Sequence, residues 1–295
     1  MQGCGAAAGK ATLASGRGHA YAKGMDAAVP FIESRQNPRV KYLVKLREGH
    51  TRRKLKRFLI EGARELQHAL VAGIKLEDGF ICPELFADSK RAKALSEKLI
   101  AQGTPLTRLS RSAFEKSSLR EGPDGILAVG IEQAPKLDDL RLSETPLLLI
   151  VEAVEKPGNL GALLRTADAA GVDAVVCCDP VTDRYNPNVI RSSQGLVFAL
   201  PVVVADREEV ADYCRKEALR TIATTPHSES NYFSADLRGS LALLLGSEKD
   251  GLSSWWLENA DVSVRIPMAG QADSLNVSTA AAVVLFEAVR QRATG

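Results

Sequence analysis

Residues 147–178 read LLLIVEAVEKPGNLGALLRTADAAGVDAVVCC, and this stretch decides how the rest of the chain is read. Leu147 to Ala153 is a continuous apolar run that predicts a buried strand, and Leu160 to Ala170 has helical spacing that stops at Gly171. Ala174 to Cys178 is a second buried strand. Working outward, Asn186-Pro187 predicts a helix N-cap followed by the favoured first-turn proline. Further strands are expected at Pro201 to Ala205, Thr221 to Thr225, Leu241 to Gly246 and Val262 to Ile266, with helical segments between them. This alternation predicts an α/β domain, 147–295, with a parallel sheet covered by helices on both faces.

Upstream, an amphipathic stretch from Val40 to Lys56 precedes a strand-like Phe58-Leu59-Ile60. Gly62 then opens a helical pattern through Leu66, Ala69 and Leu70 that ends at Gly73. Apolar runs at Gly79 to Cys82 and Ile126 to Ile131 bracket a helical Lys90 to Ala101. These predict a small α/β domain over 31–134, joined by a polar linker, 135–146, bounded by prolines. A chain of 295 residues fits two such units. Residues 1–30 are rich in Gly and Ala and lack the apolar core of a secretory signal, so they are expected to be disordered, with Met25 a candidate natural start. No stretch is apolar for long enough to span a bilayer.

Five cysteines, Cys4, Cys82, Cys177, Cys178 and Cys214, are odd in number and form no C-x-x-C pair. They predict packed thiols in a reducing, cytoplasmic setting, and no metal site. The net charge is only +2, but it is unevenly placed. Between Arg39 and Arg57 lie Lys41, Lys45, Arg47, Arg52, Arg53, Lys54 and Lys56, opposed only by Glu48. A charge run of this kind is usually a solvated helix face. Its concentration at Arg52, Arg53, Lys54, Lys56 and Arg57 favours contact with nucleic-acid phosphates.

Ligands of parallel sheets bind beyond the carboxyl ends of the strands, so the loops there carry the functional reading. Three stand out: Glu155-Lys156-Pro157-Gly158-Asn159 through Arg165, Gly246-Ser247-Glu248-Lys249-Asp250-Gly251-Leu252, and Ile266-Pro267-Met268 through Ser274-Leu275-Asn276-Val277-Ser278. Taken singly, each has a bland reading as a helix cap or a glycine-bounded turn. Together, in this order, they resemble the signature of the SpoU/TrmH family of RNA ribose 2′-O-methyltransferases in the SPOUT superfamily. The stretch Asn186-Pro187-Asn188 through Arg191-Ser192-Ser193-Gln194-Gly195 looks most like the antibiotic-resistance type of rRNA methyltransferase.

That resemblance implies S-adenosylmethionine as cofactor, held around Thr224, Leu245, Gly246, Ile266, Leu275, Asn276 and Ser278. It further implies a deep trefoil knot in the C-terminal third, one of the rare exceptions to unknotted folding. Asn159, Arg165, Glu248, Ser274 and Asn276 become the catalytic candidates. Arg191 joins Arg52, Arg53 and Lys54 as RNA-binding candidates, and the partners implied are RNA, with rRNA ahead of tRNA, and a second copy of the chain.

A ribose 2′-hydroxyl is a weak nucleophile until its proton is taken or shared. Arg165 suits the adjacent phosphate through a fork geometry that Lys lacks, while the carboxylate and amide oxygens can accept or orient. One departure is present: the family commonly has Gly-Asn-Glu-Gly where this chain has Gly246-Ser247-Glu248-Lys249. The competing readings are a nicotinamide-dependent reductase, whose G-x-G-x-x-G loop is missing here, and a non-catalytic RNA binder, which has no need of all five polar candidates.

Overall fold

The computed structural model describes residues 29–86 and 89–294. The expected disorder of 1–30, together with Cys4 and Met25, therefore lies outside the described residues except at Val29 and Pro30.

The N-terminal elements are β1 (Phe31–Ile32), α1 (Pro38–Lys45), α2 (Gly49–Leu55), β2 (Arg57–Glu61), α3 (Ala63–Val71), β3 (Leu76–Ile81), α4 (Lys90–Ala101), β4 (Leu106–Leu109), α5 (Arg111–Ser117) and β5 (Ile126–Ile131). Their strands form one sheet in the order β1-β4-β3-β5-β2, in which β5 runs antiparallel to both of its neighbours. Strand alternation divides its side chains between two cores. Phe58, Ile60, Ile81 and Ala128 face the rest of the molecule, and Leu59, Phe80, Leu127 and Val129 face α1 and α5.

The expected single amphipathic stretch from Val40 to Lys56 is broken into α1 and α2 by a turn over Leu46 to Glu48. Leu46 is buried in that turn, so the apolar spacing continues where the helix does not. Two short strands, β1 and β4, and helix α5 have no counterpart in the sequence reading. β4 is four residues long with Arg108 inside it, too short and too polar to show a period.

The C-terminal elements are β6 (Leu147–Glu152), α6 (Pro157–Ala169), β7 (Ala174–Cys178), α7 (Pro187–Ser192), α8 (Leu196–Ala199), β8 (Val202–Ala205), α9 (Arg207–Lys216), β9 (Arg220–Thr224), β10 (Leu241–Leu245), α10 (Ser254–Asn259), β11 (Val262–Val264) and α11 (Val277–Thr294). Six parallel strands run in the order β11-β9-β10-β6-β7-β8. Both faces are covered, as the continuous apolar strands require: Leu147, Leu149 and Val151 pack with α6 and α11, while Leu148 and Ile150 pack with α9 and Trp256 of α10. Asn186 caps α7, accepting from the Asn188 N–H at 2.9 Å.

Residues 135–146 do not hang free between the sheets. Leu137, Leu140 and Leu142 pack on the outer apolar layer, and Asp173 accepts from the Ser143 and Leu147 N–H groups at 2.8 Å each. One apolar cluster continues from the first sheet into the second, where the Phe58 ring stacks on Tyr185 at 4.1 Å and on Phe198 at 5.8 Å.

Cys82, Cys177, Cys178 and Cys214 are buried and unpaired. Burial pushes the Cys82 thiol up to about 11 and the other three up to about 12, which makes them packing groups rather than nucleophiles. Among the described residues, no helix is long and apolar enough to cross a membrane.

Candidate active site

Strand order reverses direction at β6: β7 and β8 lie on one side, β10, β9 and β11 on the other. In a parallel sheet that point opens a crevice beyond the carboxyl ends, and three polar loops meet there.

The first loop follows β6. Ala153 has a φ of 51°, rare for a residue with a side chain, and its N–H donates to the Cys178 carbonyl at 3.0 Å. Pro157 then starts α6, which places Asn159 in the first turn. Close packing fixes the helix: a Cβ on Gly161 would lie 1.9 Å from Ser192 Oγ and 2.7 Å from the Ser193 nitrogen. Only glycine lets α6 approach α7 so closely.

The second loop follows β10. Gly246 touches the backbone of Gly251, where a Cβ would be 1.9 Å from the Gly251 carbonyl carbon. Ser247 and Gly251 exchange backbone hydrogen bonds, and Ser247 Oγ accepts from the Asp250 N–H at 3.1 Å. The serine in place of the family's asparagine therefore still closes the turn. Glu248 is thereby held against the first loop, and the Asn159 side-chain amide donates to its carboxylate. Burial pushes the Glu248 carboxyl up. The Asn159 amide, the backbone N–H groups of Glu248 and Glu155, and the Lys156 charge outweigh that and hold it below its ordinary value.

The third loop leads into α11. Asn276 is its N-cap, with Oδ1 accepting from the Ser278 N–H at 3.0 Å and from Ser278 Oγ at 2.6 Å. Its Nδ2 donates to Asn159 Oδ1 at 3.2 Å. The result is a chain, Ser278 to Asn276 to Asn159 to Glu248, drawn from all three loops.

Beside it lies a cleft of about 270 Å³ lined by Thr224, Leu245, Gly246, Glu248, Ile266, Ser274 and Leu275 among others. The hydroxyl of Thr224 is buried and has no hydrogen-bond partner among the described residues, so the cleft holds a polar atom that a ligand can satisfy. Leu252, Leu257, Ile266, Met268 and Val277 supply apolar wall. Apolar wall beside a free hydroxyl and loop backbone fits a molecule with a heterocycle and a sugar. Asn276 and Ser278 adjoin the cleft through Asn159 and Glu248 rather than lining it.

Ser274 is exposed at the cleft and makes no hydrogen bond, so the cap role open to it falls to Asn276. Arg165 is not drawn into the network. It stands six residues beyond Asn159, about 9 Å further along α6 and on another face, exposed and without a hydrogen-bond partner among the described residues.

The RNA-binding candidates divide. Arg53, Lys54 and Arg191 are exposed. Arg52 is not: it is 4% exposed, its Nε donates to Asp183 Oδ2 at 2.7 Å, and its Nη1 donates to the Leu46 and Arg47 carbonyls at 3.0 and 2.7 Å. An arginine so enclosed, with Nε and Nη1 already engaged, does not present its charge to an RNA phosphate, which corrects the expectation for that residue.

Two groups at the site have no prominence in the sequence. Glu152, buried at the end of β6, accepts from Ser253 N–H and Oγ at 2.7 Å each and so anchors the start of α10. Thr182, also buried, donates to the carbonyl of Glu155. An acid ending an otherwise apolar strand was a signal for the first; nothing local marked the second.

A parallel sheet with a polar cluster and a cleft at the switch point is the architecture of an α/β enzyme. The chain belongs to the SpoU rRNA methylase family, whose model matches residues 146–286, and residues 37–128 match the MRM3-like substrate binding domain. It is 34% identical over 255 residues to the 23S rRNA (guanosine(2553)-2′-O)-methyltransferase RlmP of Bacillus subtilis, covering 86% of this chain and 97% of that one. Among solved structures it resembles an RNA 2′-O ribose methyltransferase at 43% identity and a TM-score of 0.76, with 88% and 98% of the two chains covered. It also resembles the SpoU methyltransferase AviRb of Streptomyces viridochromogenes in complex with AdoMet, at 32% identity and a TM-score of 0.79, covering 88% and 100%.

Proposed function

We propose that this SpoU-family enzyme methylates a ribose 2′-hydroxyl of 23S-type rRNA, using S-adenosylmethionine held in the cleft beside Asn159, Glu248 and Asn276. The observation that carries the reading is the hydrogen-bonded convergence of those three residues, from three loops, at the lip of that cleft.

The cofactor, when bound, supplies an electrophilic methyl group. Thr224 offers its free hydroxyl, and the backbone around Leu245, Gly246, Ile266 and Leu275 offers further polar contacts along the cleft. Asn159 is fixed by an acceptor and a donor at once, so its amide is oriented before substrate arrives. Glu248, held ionised, accepts hydrogen bonds and adds negative charge where a cationic cofactor approaches. Ser274 offers an exposed hydroxyl to the incoming ribose. Arg165 offers a planar guanidinium fork, so its role is to hold the neighbouring phosphate and balance the developing alkoxide.

Arg165 stands apart from the network of its own chain, which supports a two-fold dimer in which it serves the partner's cleft. Phe286, 47% exposed on the outer side of α11, supplies apolar surface for such pairing. Arg53, Lys54 and Arg191 carry phosphate contacts in this reading. A trefoil knot of the C-terminal third belongs to the same reading, supported by the Asn276 contact that brings the 266–278 segment to Asn159. An rRNA substrate and the protonated, buried thiols both suit the cytoplasm.

The test is an RNA substrate with a 2′-deoxy nucleotide at the modified position. It is expected to bind with ordinary affinity and to accept no methyl group, while the ribose substrate gives a product whose adjacent phosphate resists alkaline cleavage. A methylated base beside an alkali-labile phosphate overturns the proposal.

A further inference from the structure

Between β7 and α7 the chain runs as a strap, Thr182 to Asn186, and every side chain in it makes a fixed contact. Asp183 Oδ2 accepts from Arg52 at 2.7 Å and its Oδ1 from the Tyr185 N–H at 2.8 Å. Arg184 donates to the carbonyls of Val202 and Gln133, and the Tyr185 hydroxyl donates to the Gln133 carbonyl at 2.9 Å. Asn186 caps α7, whose Ser192 sits against Gly161 of α6.

Two neighbouring residues of the strap lead to different places. Through Asp183 it reaches Arg52, which in turn grips the turn between α1 and α2 by two carbonyls. Through Thr182 it reaches the loop of the catalytic cluster: the Thr182 N–H donates to the Val154 carbonyl at 3.3 Å, and its hydroxyl donates to that of Glu155. The same loop runs on into α6, where the Asn159 side-chain amide donates to the Glu248 carboxylate. Polar contacts and the short 155–159 loop therefore join the small N-terminal domain to the Glu248 carboxylate.

We propose that Arg52 and Asp183 are positioning residues for methyl transfer, which hold the Glu155 to Asn159 loop in register with the RNA-binding domain through the strap. This rests on the reading of Asn159, Glu248 and Asn276 as the catalytic cluster. Adhesion alone does not call for an ion pair, because apolar side chains of similar volume serve a buried contact as well or better. The stack of Phe58 on Tyr185 already supplies adhesion. What Arg52 adds is direction: its planar fork fixes three acceptors at once, two in one domain and one in the other, a geometry that a lysine ammonium does not reproduce.

The experiment compares wild type with Asp183→Asn, Arg52→Lys and Thr182→Val in single-turnover methyl transfer to a transcribed rRNA fragment. S-adenosylmethionine is saturating and rates are counted per cofactor-binding site. Asp183→Asn keeps the acceptor for Tyr185, and Arg52→Lys keeps the charge, so folded protein is obtained.

Each variant is expected to lower the maximal rate about tenfold, as small misplacements of a reacting group do. The RNA concentration at half-maximal rate should stay within about twofold, and cofactor affinity should be unchanged. Because both residues act through one strap, the double variant Asp183→Asn/Thr182→Val should be no slower than the slower single. Normal rates with a lowered melting temperature make the pair a mere adhesive and overturn the proposal. So does a raised half-maximal RNA concentration at normal maximal rate. Asn159→Ala is run alongside: if it keeps full rate, the reading of the cluster fails, whereas its loss of rate with normal strap variants sinks only the positioning role.

Discussion

The basic segment from Arg39 to Arg57 and the cluster at the cleft use their polar residues in opposite ways. In the segment, charges that are neighbours in sequence scatter to separate tasks. Arg39 reaches Asp78 at 2.8 Å, Arg47 caps the Lys116 and Ser118 carbonyls at 2.8 Å, Arg52 enters the domain junction, and Arg57 pairs with Glu77 at 3.1 Å. At the cleft, residues 89 and 117 positions apart converge into one hydrogen-bonded chain. The cause is geometric. Successive helical residues point about 100° apart, so a local charge run spreads over every face, while parallel strands in flush register bring the loops after them to one rim.

The largest expected effect breaks the cleft side of that contrast. Arg165→Ala should lower methyl transfer by about a hundredfold or more, the scale of removing a preorganised charge from a transition state. Cofactor affinity should be unchanged, because Arg165 is assigned to the RNA phosphate beside the reacting ribose and not to the cofactor. Arg165→Lys should recover little of the rate, since a point charge lacks the planar fork. Isothermal titration with S-adenosylmethionine beside rate measurement separates the two effects, and a parallel loss of cofactor binding would show the assignment to be wrong.

The same contrast explains what was legible in the sequence. Buried parallel strands announce themselves by unbroken apolar runs, so Ala174 to Cys178 matches its observed strand end to end, and Lys90 to Ala101 its helix. The rim loops were legible because each follows such a run. Arg52 was not, since burial of a charge is decided by what lies opposite, and Asp183 lies 131 positions away. Thr182 was hidden for the same reason: a small polar residue in a loop carries no period. The short strands β1 and β4 exist only because neighbours complete their hydrogen bonds.

Within the basic segment, neighbouring arginines should behave unlike each other. Arg52→Ala leaves Asp183 facing an emptied, mostly enclosed site and should lower stability by about 3 kcal/mol in urea unfolding. The double reversal Arg53→Glu/Lys54→Glu should leave unfolding nearly unchanged, because both side chains are exposed. It should instead weaken RNA binding and flatten the dependence of affinity on salt by about two counterions. RNA affinity and salt slope that both survive this reversal would make the exposed pair a solvated face.

The smallest effect sharpens the cleft side through pH. Glu248 sits below its ordinary value because its donors outweigh its burial, so the native state releases its proton more readily than the unfolded chain. A carboxyl held down in this way adds stability above its unfolded pKa and loses it as pH falls through the folded value. Asn159→Ala removes the strongest of those donors and lets the folded value rise toward the unfolded one. The melting temperature of the variant should therefore fall less steeply than that of wild type between about pH 5 and about pH 3, where an ordinary glutamate titrates. Each protein is compared with itself across that window, so any pH-independent loss from the substitution drops out. An equal slope in both would mean that Asn159 does not set the charge state of Glu248, and that the two residues meet at the cleft without sharing a task.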